Sequence, residues 1–500
     1  MPLADLPNSA EATAFRKQLM ELIDGVGNAL EDDCDTRLCS GAEAPVSRTV
    51  AMADGLSQGP PLETEAEAGP CQPASDAADG PHPEFVPLIP RTLTELRVRS
   101  SDVEAIILKF LLNSGPHLGF EIARQIRLPL TLISGLLREL KDEQVLVYKG
   151  AGSAGDFLYE LTDAGAQRAR RYWEHCTYYG SVPVDLKDYI ASVQAQSVRG
   201  QNPKIRDLQR ALLGLSIPLE MVVRLAQAVN SGLGLFLYGA PGNGKTTIAC
   251  RLTRAFGETI WIPRALNVAG SIIRLYDPNN HLPQPLSPQA SQSAGDIDER
   301  WIRISRPTIV LGGELTLDAF ELRTSQTTGV SEAPVQMKSN CGTLVIDDFG
   351  RQRATPAEIL NRWTVPLSKR YDILHLRNGR KFEFPVDQLI VFSTNLEPRD
   401  LVDEAFLRRI PYKIDVGNPS EEEFRKLLKR IARQYGIKYQ DGPVDYLIEK
   451  CYKSCGREMR YCHPGDIMHQ VLTYCHVLGL PQEITNEAID AAVMNYFSLL

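Results

Sequence analysis

The sequence predicts an α/β fold built on a buried parallel sheet, with helices gathered toward its C-terminal end. Three stretches carry that prediction. GLFLYG, residues 234–239, is an apolar run that breaks into a glycine-rich loop and then into the helical pattern TTIACRLTRAF. GTLVIDDFG, residues 342–350, is a second run, and QLIVFSTN, residues 388–395, a third; both end in polar side chains. Short continuous runs of Val, Ile, Leu and Phe, bounded by turn residues, are what strands covered on both faces look like. YKIDV, residues 412–416, and TIVL, residues 308–311, read the same way, and the patterns from 418 to 500 are helical throughout.

A chain of 500 residues exceeds what one hydrophobic core usually supports, so two or three domains are expected. With 43% hydrophobic and 23% charged residues the composition is that of a soluble globular protein. The longest apolar stretch, AIILKFLL at 105–112, is far too short for a bilayer span and carries Lys109, so no membrane span is expected. MPLADLPNSAEA lacks a basic start followed by an apolar segment, the mark of a secretory signal. Ten cysteines without a small-domain framework favour free thiols and a cytoplasmic location. The net charge of −8 is unevenly spread: residues 1–90 hold sixteen acidic and four basic side chains, so the remainder is net basic. This tail is rich in Ala, Gly, Pro, Ser and Glu, too poor in apolar surface to offset its ordering entropy, and is expected to be largely disordered. FRKQLMELIDGVGNAL, residues 15–30, is its one amphipathic stretch.

Order is expected from about residue 91. DVEAIILKFLLN spaces Val103, Ile106, Ile107, Phe110 and Leu111 for one helical face, and FEIARQI follows as a short helix. After Pro129 a third helix carries Ile133, Leu136, Leu137 and Leu140. VLVYKG and DFLYELT are strand-like around a glycine-rich loop, and Thr162 is placed to cap a last helix, DAGAQRARRYWE. Three helices followed by a β-hairpin resemble the winged helix-turn-helix family over roughly residues 98–174, within a domain expected at 91–175, which makes DNA a candidate partner there. The third helix, however, sets Arg138 and Lys141 against Glu139, Asp142 and Glu143. A basic stripe is the usual footprint of phosphate contact, so a protein-contact or autoinhibitory role stands beside DNA binding. Residues 176–205 read as a linker.

The chemistry lies in the glycine loop. Gly239, Gly244, Lys245 and Thr246 satisfy G-x-x-x-x-G-K-[ST] between a strand and a helix. In that setting backbone N–H groups turn toward phosphates, the lysine reaches the β and γ groups, and the hydroxyl is offered to Mg²⁺. The candidate phosphate site is therefore Gly239, Pro241, Gly242, Asn243, Gly244, Lys245, Thr246 and Thr247. Asp347 and Asp348 end a strand run: one carboxylate suits Mg²⁺, with Thr246, and the other suits polarising a water. Asn395, at the tip of QLIVFSTN, could orient that water. Arg408 and Arg409 are candidates for stabilising charge on a transferring phosphoryl group.

These four pieces, in this order, resemble the AAA+ ATPases across residues 206–500. The resemblance implies a five-stranded parallel sheet (206–417) with a helical lid (418–500), ATP and Mg²⁺ as ligands, and a homo-oligomeric ring, a hexamer favoured. It assigns Lys245 and Thr246 to Walker A, and Asp347 and Asp348 to Walker B. Asn395 becomes sensor 1, and Arg409, or Arg408, the finger supplied in trans. Two departures stand out. Walker B ends Asp-Asp rather than Asp-Glu, so the second carboxylate needs help from the backbone to reach. The lid arginine of the family is replaced by Gly465 in CHPGDIMHQV, leaving Arg457 or Arg460 as substitutes. RYDILHLRNGRKFEFP reads as a hairpin around Asn378-Gly379, and HLPQPLSPQASQSAG (281–295) as a flexible insertion. Hairpins at such places resemble the MoxR-type branch, whose members remodel other proteins; the client is not identified. In the lid, Cys451, Cys455, Cys462, His463, Cys475 and His476 lack the paired spacing of a zinc knuckle and read as buried residues.

Overall fold

The computed structural model describes residues 85–152, 155–285 and 297–497. The amphipathic stretch 15–30, the acidic tail up to residue 84 and most of the 281–295 insertion lie outside the described residues.

The first ordered elements are α1 (Ser100–Ser114), α2 (Gly119–Ile126) and α3 (Leu130–Asp142). They are followed by an antiparallel pair, β1 (Leu146–Ala151) and β2 (Phe157–Leu161), and by α4 (Asp163–His175). The apolar positions picked out by helical spacing, Ile106, Ile107, Ile133 and Leu137, are fully buried in one cluster. His117–Leu118 adds a third strand on the β2 side. Thr162 caps α4 by accepting from Gly165 N–H at 3.1 Å. Gly165 fits because a Cβ there would collide with the Val145 carbonyl.

Residues 176–205 are built into the core. Val184–Asp185 pairs with Leu266–Asn267, and α5 (Leu186–Ala195) buries Tyr189 and Val193. The Tyr189 hydroxyl accepts from Asn340 Nδ2 at 2.8 Å, and the Gln196 amide brackets Trp261, accepting from its N–H and donating to its C=O.

Among the described residues five strands form one parallel sheet: β3 (Leu235–Tyr238), β4 (Thr308–Leu311), β5 (Thr343–Ile346), β8 (Leu389–Ser393) and β9 (Tyr412–Asp415). The order across the sheet is β4-β5-β8-β3-β9. β3, β5 and β8 are buried along nearly their whole length, as their unbroken apolar runs require. Helix α6 (Lys245–Leu252) follows β3. The hairpin expected before the third strand is present as β6 (Tyr371–His375) and β7 (Lys381–Pro385), closed by Gly379 at φ 78°. Its Leu374, Phe382 and Phe384 face the core. Val184–Asp185 is the edge of a second, mixed sheet whose other four short strands lie between α6 and β5 in the chain; with the antiparallel pair Thr259–Pro263 and Trp301–Ser305 they fill an interval whose internal structure the sequence left open.

After α7 (Glu404–Arg409) and β9 the chain enters the C-terminal helices. These include α8 (Glu421–Gln434), α9 (His463–Leu478) and α10 (Asn486–Phe497), packed on Phe424, Leu428, Ile467, Met468 and Ile489. Ser420 and Glu423 close a reciprocal capping box at the start of α8. No helix of the described residues is long and apolar enough to cross a membrane.

Candidate nucleotide site

The carboxyl ends of β3, β5 and β8 bring the predicted loop, carboxylates and asparagine to one place. The loop owes its shape to glycines in the left-handed region: Gly239, Gly242 and Gly244 have φ of 127°, 83° and 79°. At Gly239 a Cβ would also stand 2.8 Å from Asp415 Oδ1 and from the Val416 carbonyl. Lys245 then opens α6, whose first-turn N–H groups have no intrahelical acceptor.

The side chains form two short hydrogen-bonded chains. Lys245 Nζ donates to the carbonyls of Gly239 and Ala240, both at 2.9 Å, and to Asn395 Oδ1 at 2.7 Å. Asn395 Nδ2 donates onward to Asp348 Oδ1 at 3.1 Å. Beside them Thr246 Oγ1 donates to both Asp347 oxygens, at 2.8 and 2.9 Å. Burial lowers the Lys245 pKa from its usual range, Asp348 and Asp347 pull it back up, and the nearby Arg460 charge lowers it further.

Asp348 has φ 49°, a left-handed backbone that few non-glycine residues adopt and that aspartate tolerates better than most. In this turn the Asp348 carboxylate meets Asn395. Phe349 N–H is anchored on the Ser393 carbonyl at 2.7 Å, holding the turn against β8.

Whether these residues fit ATP and Mg²⁺ is a question of donor chemistry. The Lys245 ammonium rests on neutral oxygens, which phosphate oxygens can replace with a gain in charge pairing. Thr246 and Asp347 set a hydroxyl and a carboxylate side by side, the hard oxygen donors that magnesium prefers. The residues fit.

A cavity of about 270 Å³ adjoins Gly242, Asn243, Gly244 and Thr247. Its other walls are Leu215, Ile217 and Met221 from the segment before β3, Val416, Leu427 and Arg430 of α8, and Tyr461 just before α9. Sequence reasoning did not find these residues. They come from three distant stretches, and no local pattern marks them. An apolar slot beside a phosphate loop suits the base and sugar of a nucleotide.

Other predicted residues lie apart. Pro241 is an exposed residue of the loop. Arg408 and Arg409 end α7; Arg409 sits over the Phe406 ring at 5.4 Å and donates to the Ala405 carbonyl at 3.3 Å, without contact to the loop. Gly465 stands on the first turn of α9, with open space where a side chain would be. Of the two substitutes, Arg457 stacks on Phe497 at 3.7 Å and donates to Cys451 O, half-buried against the C-terminal helices. Arg460 instead reaches Asn418 Oδ1 at 2.7 Å, next to the loop. Among the described residues no group of three or more His, Cys, Asp or Glu is arranged to hold a metal ion.

Residues 420–495 match a family described as a domain of unknown function (DUF8689). No curated protein matches the chain. Among solved structures it is similar to NtrX from Brucella abortus, with 14% identity, 58% of this chain and 56% of that one covered, and a TM-score of 0.36. It is also similar to the RuvB Holliday junction branch migration motor of Thermotoga maritima, with 12% identity, 55% and 68% coverage and a TM-score of 0.32. A third likeness is to the complex between subunits BchI and BchD of magnesium chelatase, with 15% identity, 55% and 91% coverage and a TM-score of 0.30. The chain thus spans a little over half the length of the NtrX chain it matches.

Proposed function

We propose that this chain is an AAA+ ATPase that binds ATP with Mg²⁺ and couples its hydrolysis to the remodelling of a protein partner. The observation that carries the reading is the continuous chain Lys245–Asn395–Asp348, beside Thr246–Asp347, at the carboxyl end of one parallel sheet. Bound magnesium would supply charge neutralisation between the phosphates, held by Thr246 and Asp347. Lys245 would bind the phosphates, and Asp348, positioned through Asn395, would accept the proton of the attacking water. The apolar slot beside the loop would exclude water from the base. Arg409, or Arg408, would act from a neighbouring subunit of a ring. Their position at the end of α7, where Arg408 is exposed and Arg409 half-buried over its own Phe406, favours that role.

A protein client is preferred over DNA because the outer face of α3 mixes Arg138 with Glu139 and Asp142, and Lys141 is paired to Asp142 at 3.2 Å. Phosphate contact calls for unpaired cations. Steady-state ATP hydrolysis by the full chain, with and without magnesium, tests the enzymatic reading. A rate no higher than that of Lys245→Ala would refute it. Salt-sensitive binding to duplex DNA would replace the client reading with the DNA-regulator one.

A further inference from the structure

Gly465 cannot link the lid to bound phosphate, yet the lid is bonded to the phosphate loop by other means. Cys462 N–H donates to the Gly242 carbonyl at 2.9 Å, and Tyr461 N–H to Asn243 Oδ1 at 3.4 Å. The Asn243 amide donates in turn to Val416 O and Gly417 O, both at 3.1 Å, and to Asn418 Oδ1 at 2.9 Å. Asn418 Oδ1 also accepts from Arg460 Nη1 at 2.7 Å. Residues 416–420 are the covalent passage from β9 to α8, so one oxygen joins the loop, the hinge and the lid.

We propose that Asn243 and Asn418 form a latch that reports occupancy of the phosphate loop to the lid. The inference rests on the ATPase reading above and adds its regulation. Asn243 is only 3% exposed, so its amide cannot give up these partners without finding others. Its neighbours Gly242 and Gly244 are both left-handed glycines, so the loop can re-set its backbone around a phosphate. When it does, Asn243 must either break its bonds or carry the hinge with it. Arg460 adds the charge-sensitive arm. Its second guanidinium nitrogen is paired with Glu458 at 2.8 Å, and polyphosphate in the loop is a stronger attractor than the neutral Asn418 oxygen. Asn243 and Asn418 are therefore positioning residues, acting on the lid rather than on the reacting atoms.

Hydrogen exchange of the full chain, with and without a non-hydrolysable ATP analogue and magnesium, tests the latch. In the wild type the analogue slows exchange at 239–248 and also at 416–420 and 457–463, by about tenfold, the worth of one hydrogen bond. Asn418→Ala keeps the slowing at 239–248 and loses it at 457–463. Asn418→Asp, which keeps an oxygen acceptor there, restores it. A full lid response in Asn418→Ala overturns the latch. So does a wild type protected at 239–248 but unchanged in the lid, which leaves the ATPase reading intact. No protection at 239–248 brings down both. Should Asn418→Ala loosen the lid before any nucleotide is added, Arg460→Gln decides: an undiminished lid response in that variant overturns the latch.

Discussion

The two ends of the central sheet both carry polar side chains, in opposite condition. At the carboxyl end Thr246, Asp347, Asp348 and Asn395 are partly or fully accessible and bonded mostly to one another. At the amino end Arg306, Asp387 and Gln388 are buried, and Arg370 lies beside them. Arg306 donates to the carbonyls of Gln196 and Cys341, at 3.1 and 2.6 Å, and Arg370 donates to that of Gly232. Burial lowers both guanidinium pKa values, Arg370 to about 10, and raises that of the Asp387 carboxyl. The difference separates a site from a scaffold. Groups whose partners can be exchanged for a ligand's oxygens can do chemistry, whereas arginines buried on backbone carbonyls away from the loop hold segments together.

Substitutions at the two ends should therefore fail in different ways. The largest effect belongs to Lys245→Ala: ATP turnover falls by about a thousandfold or more while the protein stays folded, as steady-state rates and circular dichroism would record. A residual rate within tenfold of wild type would remove the loop from the mechanism. Arg306→Met does the reverse. It strips two buried carbonyls of their donor and costs about 3 kcal/mol in urea unfolding, leaving turnover per folded molecule unchanged. Asp348→Asn slows hydrolysis by about a hundredfold with nucleotide affinity nearly intact, a split that separates water activation from binding.

A pH effect sharpens the contrast between site and lid. Burial depresses the His463 pKa to about 4, and its Nδ1 meets the Tyr452 hydroxyl at 3.0 Å. An unfolded histidine titrates near about 6.5. The folded chain thus prefers the neutral ring, and the stability this gives is complete above about pH 6.5 and is lost as pH falls toward 4. Denaturation midpoints measured across that window should slope, and His463→Gln should flatten the slope. The smallest effect is expected at Gly465→Ala, which fills open space on a helix and should raise stability by about 0.5–1 kcal/mol. Gly242→Ala, at φ 83° and against Cys462, should instead break the loop. Equal outcomes for the two glycines would remove the distinction.

What could be read in advance was what is local. The phosphate loop, the two carboxylates after β5, Asn395 after β8 and the Asn378-Gly379 hairpin are each an apolar run and a turn within a few consecutive residues. Their chemistry and order survive without knowledge of the fold. The 184–195 segment resisted the same treatment because its strand is two residues long and Tyr189 looks like any other tyrosine until Asn340 is placed beside it. The left-handed turn at Asp348 was equally silent, since aspartate is allowed many conformations.

The sequence by itself determined that a strand, a glycine loop, a lysine and a threonine come in succession, and that carboxylates and an asparagine end two later strands. Covalent neighbours and hydrophobic runs suffice for that. Only the tertiary structure decided that Asn395 bridges Lys245 to Asp348, that the slot beside the loop is walled from three separate stretches, and that Arg460 rather than Arg457 faces the loop. Those outcomes depend on which distant surfaces bury each other, and burial is a property of the packed chain.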